Sequence, residues 1–169
     1  MPLSMYQASV PAFLQMLASL SAILDKAVAN ATARKIEPAV FLNARLSPDM
    51  LSFTKQIQIA SDFAKNTSAR LAGVEIPKFA DTETSFEELK ARVAKTLEFV
   101  KSIKPAQIDG SEEKEITFSV GGKPMTFKGQ AYLVGFALPN FYFHLTTAYA
   151  ILRHNGVELG KRDFIGSGM

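Results

Sequence analysis

The chain has 169 residues, of which 47% are hydrophobic and 21% are charged, and its formal net charge is +3. This composition suits one globular domain with a single core and excludes global disorder. The absence of cysteine excludes disulfides, cysteine nucleophiles and cysteine-based zinc sites.

The first predicted element is an amphipathic helix, because apolar residues recur at three- and four-residue spacing from Tyr6 to Val28. Polar residues interrupt this stretch at Gln15, Ser19 and Ser21, and no basic residues precede it as in a signal peptide. No run approaches the roughly 18 apolar residues needed to cross a bilayer. We therefore expect no membrane partner and a cytoplasmic location.

A second helix is predicted to start at Ser47, which can cap it, with Pro48 at the first helical position. Gly73 is a typical left-handed stop and predicts the end of this helix. The connector before it carries apolar residues that we expect to be buried, namely Val40, Phe41, Leu42 and Leu46.

A third helix is predicted from Ser85, which has Glu88 at capping-box spacing, to Pro105. The period then changes to alternation in EITFSVGGKPMTF, where Gly121-Gly122 supplies a turn. This pattern predicts a β-hairpin packed against the helices.

The last helix is predicted from about Gly129 to Arg153, with Pro139 bending it. Its first half is apolar on nearly every face, which favours either a central helix or a subunit interface, and we expect a homodimer. Together the four helices predict an all-α four-helix bundle with a small β-hairpin before the last helix, as one domain over residues 1–169.

The last helix carries the sharpest candidate site, Asn140 and His144. Four residues apart, they share one helix face, and an imidazole there can bind a metal ion or act as a base near neutral pH. The alternative is a core histidine with one satisfied hydrogen bond. The other histidine, His154, lies at the helix end and is expected to interact with the helix dipole.

The second helix offers Gln58 and Asp62, one turn apart beside the apolar stripe. Such a pair can orient a ligand or a histidine on a facing helix, and the alternative is a solvated helix edge. The chain contains no Gly-rich phosphate loop, HExxH motif, EF-hand spacing or Ser-His-Asp order.

Two stretches, SPDMLSFTKQIQIASDFAK and LPNFYFHLTTAYAILRHNGVELGKRDF, resemble the DUF1993 family within the DinB/YfiT-like group of four-helix bundles. The resemblance implies an up-down-down-up bundle that is often dimeric. Many members of the group are metalloenzymes, and some are thiol-dependent S-transferases or isomerases.

The resemblance also implies a metal pattern of one histidine on the second helix and an HxxxH pair on the fourth. In the frame set by Ile151-Leu152-Arg153 and Gly156, His144 matches the second histidine of the pair. Asn140 then occupies the first position, and Gln58 occupies the position on the second helix. Two amides and one imidazole are a poor donor set for zinc or nickel, so a retained metal would need a harder ion with help from Asp62 or water.

Three functions follow from these observations. The first is a binding or structural protein, expected to be a homodimer with no cofactor, whose degenerate metal site takes a small-molecule ligand at Gln58, Asn140, His144 and Asp62. The second is an enzyme that uses His144, either with a divalent metal ion bound there or with a small thiol, by analogy with the group. The third, nucleic-acid binding, rests only on a basic pI without any basic run, and we expect no nucleic-acid partner.

Overall fold

The computed structural model describes residues 3–166. In chain order the helices are α1 (Val10–Arg34), α2 (Pro38–Leu42), α3 (Phe53–Ala72), α4 (Phe86–Ser102), α5 (Pro105–Ile108), α6 (Gly129–Tyr132), α7 (Leu138–His154) and α8 (Lys161–Ile165). Between α5 and α6 lie two strands, β1 (Glu115–Val120) and β2 (Lys123–Lys128), and a π-helical turn, Leu133–Ala137, joins α6 to α7.

The four long helices α1, α3, α4 and α7 form the bundle. The α1 helix packs on α4, and α3 lies between α4 and α7. Large side chains fill the space between them, among them the fully buried Phe13, Phe53 and Phe141, with the Phe13 and Phe141 rings edge to face at 4.9 Å. The all-α bundle with a small hairpin before the last helix is thereby confirmed.

The α1 helix is, within residues 3–166, the one helix with the length and apolar composition of a membrane span. It lies near the N-terminus, and 44% of its most apolar window is buried inside the fold. Because a core helix of a bundle passes the same test, and α1 packs on both α4 and α8, this is weak support for a span.

The predicted start of the second helix at Ser47 is wrong, since α3 begins at Phe53. The Ser47 hydroxyl bonds the Asp49 carboxylate, and the Met50 amide donates to the Ser47 carbonyl, so this stretch closes a turn. The predicted stop is confirmed, because Gly73 follows the helix with a φ of 73°.

Of the other local predictions, some are confirmed and some are wrong. The capping of α4 is confirmed, because the Glu88 amide donates to the Ser85 hydroxyl at 3.1 Å. In the connector before α3, Phe41 and Leu42 are buried as predicted, but Val40 is 55% exposed and Leu46 is 43% exposed. The predicted burial of Val40 and Leu46 is therefore wrong, since apolar composition in a connector does not show which side chains reach the core.

The β-hairpin has the predicted turn, and Gly121 and Gly122 both have positive φ, 56° and 81°. Its inner face is aromatic. Phe118 and Phe127 stack with their centres 6.0 Å apart, and both rings lie against Phe136. This packing holds the hairpin on the segment that leads into α7.

The last helix has the predicted extent, because α6, the π-helical turn and α7 follow one another without a break from Gly129 to His154, but the sequence does not predict the π-helical turn. The turn Leu133–Ala137 is π-helical, and the Leu138 amide donates back to the Leu133 carbonyl. Pro139 follows directly and has no amide hydrogen to extend an ordinary helical ladder. Such π turns are frequent beside functional sites, and this one immediately precedes Asn140 and His144.

Candidate functional site

His144 lies on the face of α7 that meets α3. Its Nδ1 atom is 2.7 Å from Oε1 of Gln56, and the Nε2 atom of Gln56 donates to the Leu51 carbonyl at 3.2 Å. Because the amide nitrogen is engaged there, the oxygen of Gln56 faces the imidazole, and an oxygen only accepts. The proton of a neutral His144 therefore lies on Nδ1, and Nε2 is the unprotonated acceptor.

Two aromatic rings enclose the imidazole. Phe63 stacks on it with centroids 6.0 Å apart and planes 17° apart, and Phe143 meets it edge-on at 5.2 Å. Burial lowers the pKa of His144 below its ordinary value of 6.5, because the apolar surroundings disfavour the charged form. The side chain is thus neutral at neutral pH.

The Nε2 atom of His144 differs from the Nδ1 atom in being open. No hydrogen-bond partner for Nε2 occurs in residues 3–166, nor is Nε2 among the atoms sealed from solvent without a partner. A neutral imidazole with one fixed and one open nitrogen can accept a hydrogen bond from a ligand or take up its proton.

Asn140 lies one turn before His144, as predicted, but its amide nitrogen is occupied. Its Nδ2 atom donates to the Phe136 carbonyl at 2.8 Å, within the π-helical turn. No hydrogen bond joins Asn140 to His144 in the part of the chain that the structure describes. Asn140 therefore borders the histidine without orienting it.

Gln58 lies on the other side of α3. Side chains two residues apart on a helix point in nearly opposite directions, so Gln58 faces away from the surface of Gln56. Its Nε2 atom donates to the Glu83 carboxylate at 2.7 Å. Asp62 lies on the same side and accepts from Arg92 at 3.0 Å and from Lys65 at 2.9 Å.

Arg92 is the centre of the charged cluster on that side of α3. Its side chain is 1% exposed, and it bonds Asp62, Asp81 at 3.1 Å and Glu83 at 2.9 Å. Burial alone would raise the pKa of Glu83, but hydrogen bonds from Arg92 and Gln58 outweigh it and hold that pKa below 4.5. The cluster ties the segment before α4 to both α3 and α4.

A cavity of about 280 Å³ lies beside this charged cluster. Its lining includes Lys78, Phe79, Thr82, Glu83, Arg92 and Lys95. The guanidinium Nε of Arg92 has no partner, yet it is sealed from solvent and so does not face the cavity. The carboxylates of the cluster pair with Arg92, whereas Lys78 and Lys95 of the lining form no salt bridge within residues 3–166.

The four predicted site residues are therefore divided between two faces of α3. Asn140 and His144 lie on the α7 side, whereas Gln58 and Asp62 bond the charged cluster on the α4 side. No group of three or more His, Asp or Glu that could hold a metal ion occurs in residues 3–166. A zinc or nickel ion would meet one imidazole, and the amide oxygens of Asn140 and Gln58 are weak donors that lie on different sides of α3, so these residues do not fit it.

Gln56 is the residue that sequence reasoning missed. It is 1% exposed, and it shares a face with Phe63, seven residues later. A glutamine at core spacing, among the apolar residues of α3, is the signal that could have found it. The resemblance instead directed attention to Gln58.

An exposed apolar face lies on the outer side of α7. Phe143 is 54% exposed and Tyr142 is 37% exposed. A shallow groove on this face is lined by Leu46, Pro139, Tyr142, Phe143, Thr146, Thr147 and Ala150. Phe143 thus contacts His144 with its edge and is itself half open to solvent.

The fold is a helical bundle of the DinB type. The chain is similar to a solved structure, a crystal structure of a DinB family member protein from Shewanella denitrificans. The two share 41% sequence identity with a TM-score of 0.87, over 96% of this chain and 92% of that one.

The particular family follows from the sequence match. The model of DUF1993, a domain of unknown function, matches residues 5–165, and the chain belongs to this family. No curated protein matches the chain.

Proposed function

We propose that the protein binds a small polar molecule at His144 without a resident metal ion. The observation that carries the proposal is the imidazole itself, held at Nδ1 by Gln56 and open at Nε2. Its neutral state and the aromatic rings of Phe63 and Phe143 favour a ligand with one polar group and a flat or apolar body.

A thermal-shift screen of small polar molecules against the full chain tests this function. A compound that stabilises the wild-type protein is expected to lose its effect in His144→Ala and to keep it in His154→Ala, the matched control. His154 lies at the exposed end of α7, outside the site. A compound whose effect survives in His144→Ala binds elsewhere, and a library without any hit contradicts the proposal.

Metal analysis of protein purified without chelator tests the metal-free part. We expect far less than one equivalent of any transition metal. If nearly one equivalent of a metal ion is bound to the wild type and to His154→Ala but not to His144→Ala, the proposal is contradicted and a metalloenzyme is favoured.

The second candidate is an enzyme that uses His144 as a general base. The same geometry favours it, since a neutral imidazole with an open nitrogen can accept a proton from a bound substrate. The group resemblance adds a small thiol as co-substrate, which rests on analogy alone. A screen with glutathione and other low-molecular-weight thiols would support this candidate if turnover were seen and lost in His144→Ala.

We also propose that the protein is a homodimer through the exposed face of α7. Its apolar groove and the half-exposed Phe143 support this, because such a surface is seldom left to water. Phe143→Ser is expected to shift the mass in solution from two chains towards one, by light scattering. Ala94→Ser, on the exposed side of α4, is the control and should leave the mass unchanged.

A further inference from the structure

The hydrogen bond between Gln56 and His144 decides which imidazole nitrogen carries the proton. We propose that Gln56 is a positioning residue that holds His144 in its Nδ1–H tautomer, so that Nε2 is the acceptor a ligand meets. The tautomer stands on the geometry of these two side chains, and only the inference about the ligand rests on the proposed function.

The orientation of the Gln56 amide follows from its second contact. The amide nitrogen donates to the Leu51 carbonyl, in the segment just before α3. A flipped amide would turn its oxygen towards that carbonyl oxygen and lose the bond. Because Gln56 is 1% exposed, water cannot replace the lost bond, and the flip would leave a buried polar group without a partner.

The orientation of the imidazole is restricted as well. Phe63 stacks on one ring face and Phe143 lies against it edge-on, at 6.0 Å and 5.2 Å between centroids. No charged side chain bonds His144 within residues 3–166, so the amide oxygen is the partner that selects the tautomer. The Nδ1 proton points at Gln56, and the lone pair of Nε2 points away from it.

This tautomer indicates which chemical group of a ligand can bind to His144. An unprotonated Nε2 accepts, so the group that meets it carries an O–H, N–H or S–H donor. A molecule that offers only acceptor atoms gains nothing there. Phenol and anisole form a matched probe pair, since they share the aromatic ring and differ in the donor.

Nitrogen NMR of histidine-labelled full-length protein, above pH 7 and without ligand, tests the tautomer. The chain has two histidines, and His154→Gln assigns the signals. In the wild type we expect a protonated Nδ1 and an unprotonated Nε2 for His144. Gln56→Leu is expected to lose this preference. Gln56→Glu loses the donation to the Leu51 carbonyl but keeps an acceptor for Nδ1, and it is expected to retain the Nδ1 proton at a pH where the ring is neutral.

A protonated Nε2 in the wild type would overturn the assignment, and so would an unchanged tautomer in Gln56→Leu. Thermal unfolding shows whether each variant is folded. If Gln56→Leu does not fold, Gln56→Met, which has a similar length and no acceptor oxygen, is measured instead. Rescue by Gln56→Glu separates positioning from a merely structural role, because loss of packing would not restore a spectroscopic signature.

Titration with the two probes tests the ligand class. Phenol is expected to shift the Nε2 signal of His144 in the wild type more than anisole does, and to lose this effect in Gln56→Leu. Equal shifts from both probes, or none from phenol, would overturn the inference about the donor. If the wild type carries the Nδ1 proton but no compound in the wider library binds, the proposed function is contradicted and the positioning role of Gln56 stands. If a compound binds but the proton lies on Nε2, only the positioning role is contradicted.

Discussion

The two faces of α3 each carry a buried glutamine, and the two amides serve different ends. On the α7 side, Gln56 holds a neutral imidazole whose second nitrogen stays open. On the α4 side, Gln58 donates to Glu83, whose carboxylate also meets Arg92. The comparison indicates that the charged face of α3 stabilises the fold. Its carboxylates pair with Arg92, and the polar atoms left without a partner there, Oε1 of Gln58 and Nε of Arg92, are sealed from solvent. On the neutral face, Nε2 of His144 is not among the sealed atoms, and it is the acceptor that we propose a ligand meets.

The largest expected effect comes from Arg92, the cation that holds the charged face together. In Arg92→Met, Asp62, Asp81 and Glu83 lose their common partner, and breaking a buried ion pair typically costs about 3–5 kcal/mol. Because two of these carboxylates, Asp62 and Asp81, are partly exposed, we expect the lower end of this range. The free energy of unfolding, measured with urea, should fall by about 3 kcal/mol.

The control for this loss is Lys90→Met, on the same helix as Arg92, which removes an exposed ion pair with Asp25 of α1. It should cost less than about 1 kcal/mol. Similar losses from Arg92→Met and Lys90→Met would show that the charged face is not structural.

The next effect is the response of the charged face to acid. The pKa of Glu83 is held below 4.5 in the folded protein, so its contribution to stability is present above that pH. The contribution is lost as the pH falls through the lowered pKa. Glu83→Gln is therefore expected to be less stable at neutral pH and to lose less stability between pH 5 and pH 3.

Urea unfolding at several pH values measures how the free energy of unfolding changes with pH. Glu87→Gln changes an exposed side chain near the start of α4 and serves as the control. An acid response that is the same in Glu83→Gln, Glu87→Gln and the wild type would exclude Glu83 as a contributor.

A smaller effect is expected on stability from the two glutamines themselves. Gln56→Met leaves the Leu51 carbonyl and the Nδ1 proton of His144 without their partner, and Gln58→Met removes one donor from Glu83. Losing the partner of a buried polar group costs about 1–3 kcal/mol. Thermal unfolding should place both variants below the wild type and above Arg92→Met. Either variant at wild-type stability would mean that its amide is dispensable to the fold.

Much of the fold is predictable from the sequence because it depends on local chemistry. The alternation around Gly121-Gly122, the cap at Ser85 and the stop at Gly73 each reflect a conformational preference of a few neighbouring residues. The start of α3, in contrast, cannot be predicted from the preferences of neighbouring residues alone. Ser47 has the composition of a cap, but its hydroxyl bonds Asp49, and such competition between nearby partners is settled only in three dimensions.

The candidate site is predictable only in part, for a geometric reason. His144 and Asn140 share a face by simple helical spacing, and the structure places them so. Which glutamine of α3 meets His144 depends on the rotation of one helix against another. Since a shift of two residues reverses the face, a resemblance that pointed to Gln58 could not distinguish it from Gln56.

The most direct test of this account compares the histidine nitrogen spectra of Gln56→Leu and Gln58→Leu. The two substitutions are chemically identical, both positions are buried, and they lie two residues apart on α3. We predict that Gln56→Leu changes the tautomer of His144 and that Gln58→Leu leaves it as in the wild type. A tautomer that changes in both variants, or in Gln58→Leu alone, would contradict the division of α3 into a charged structural face and a neutral binding face.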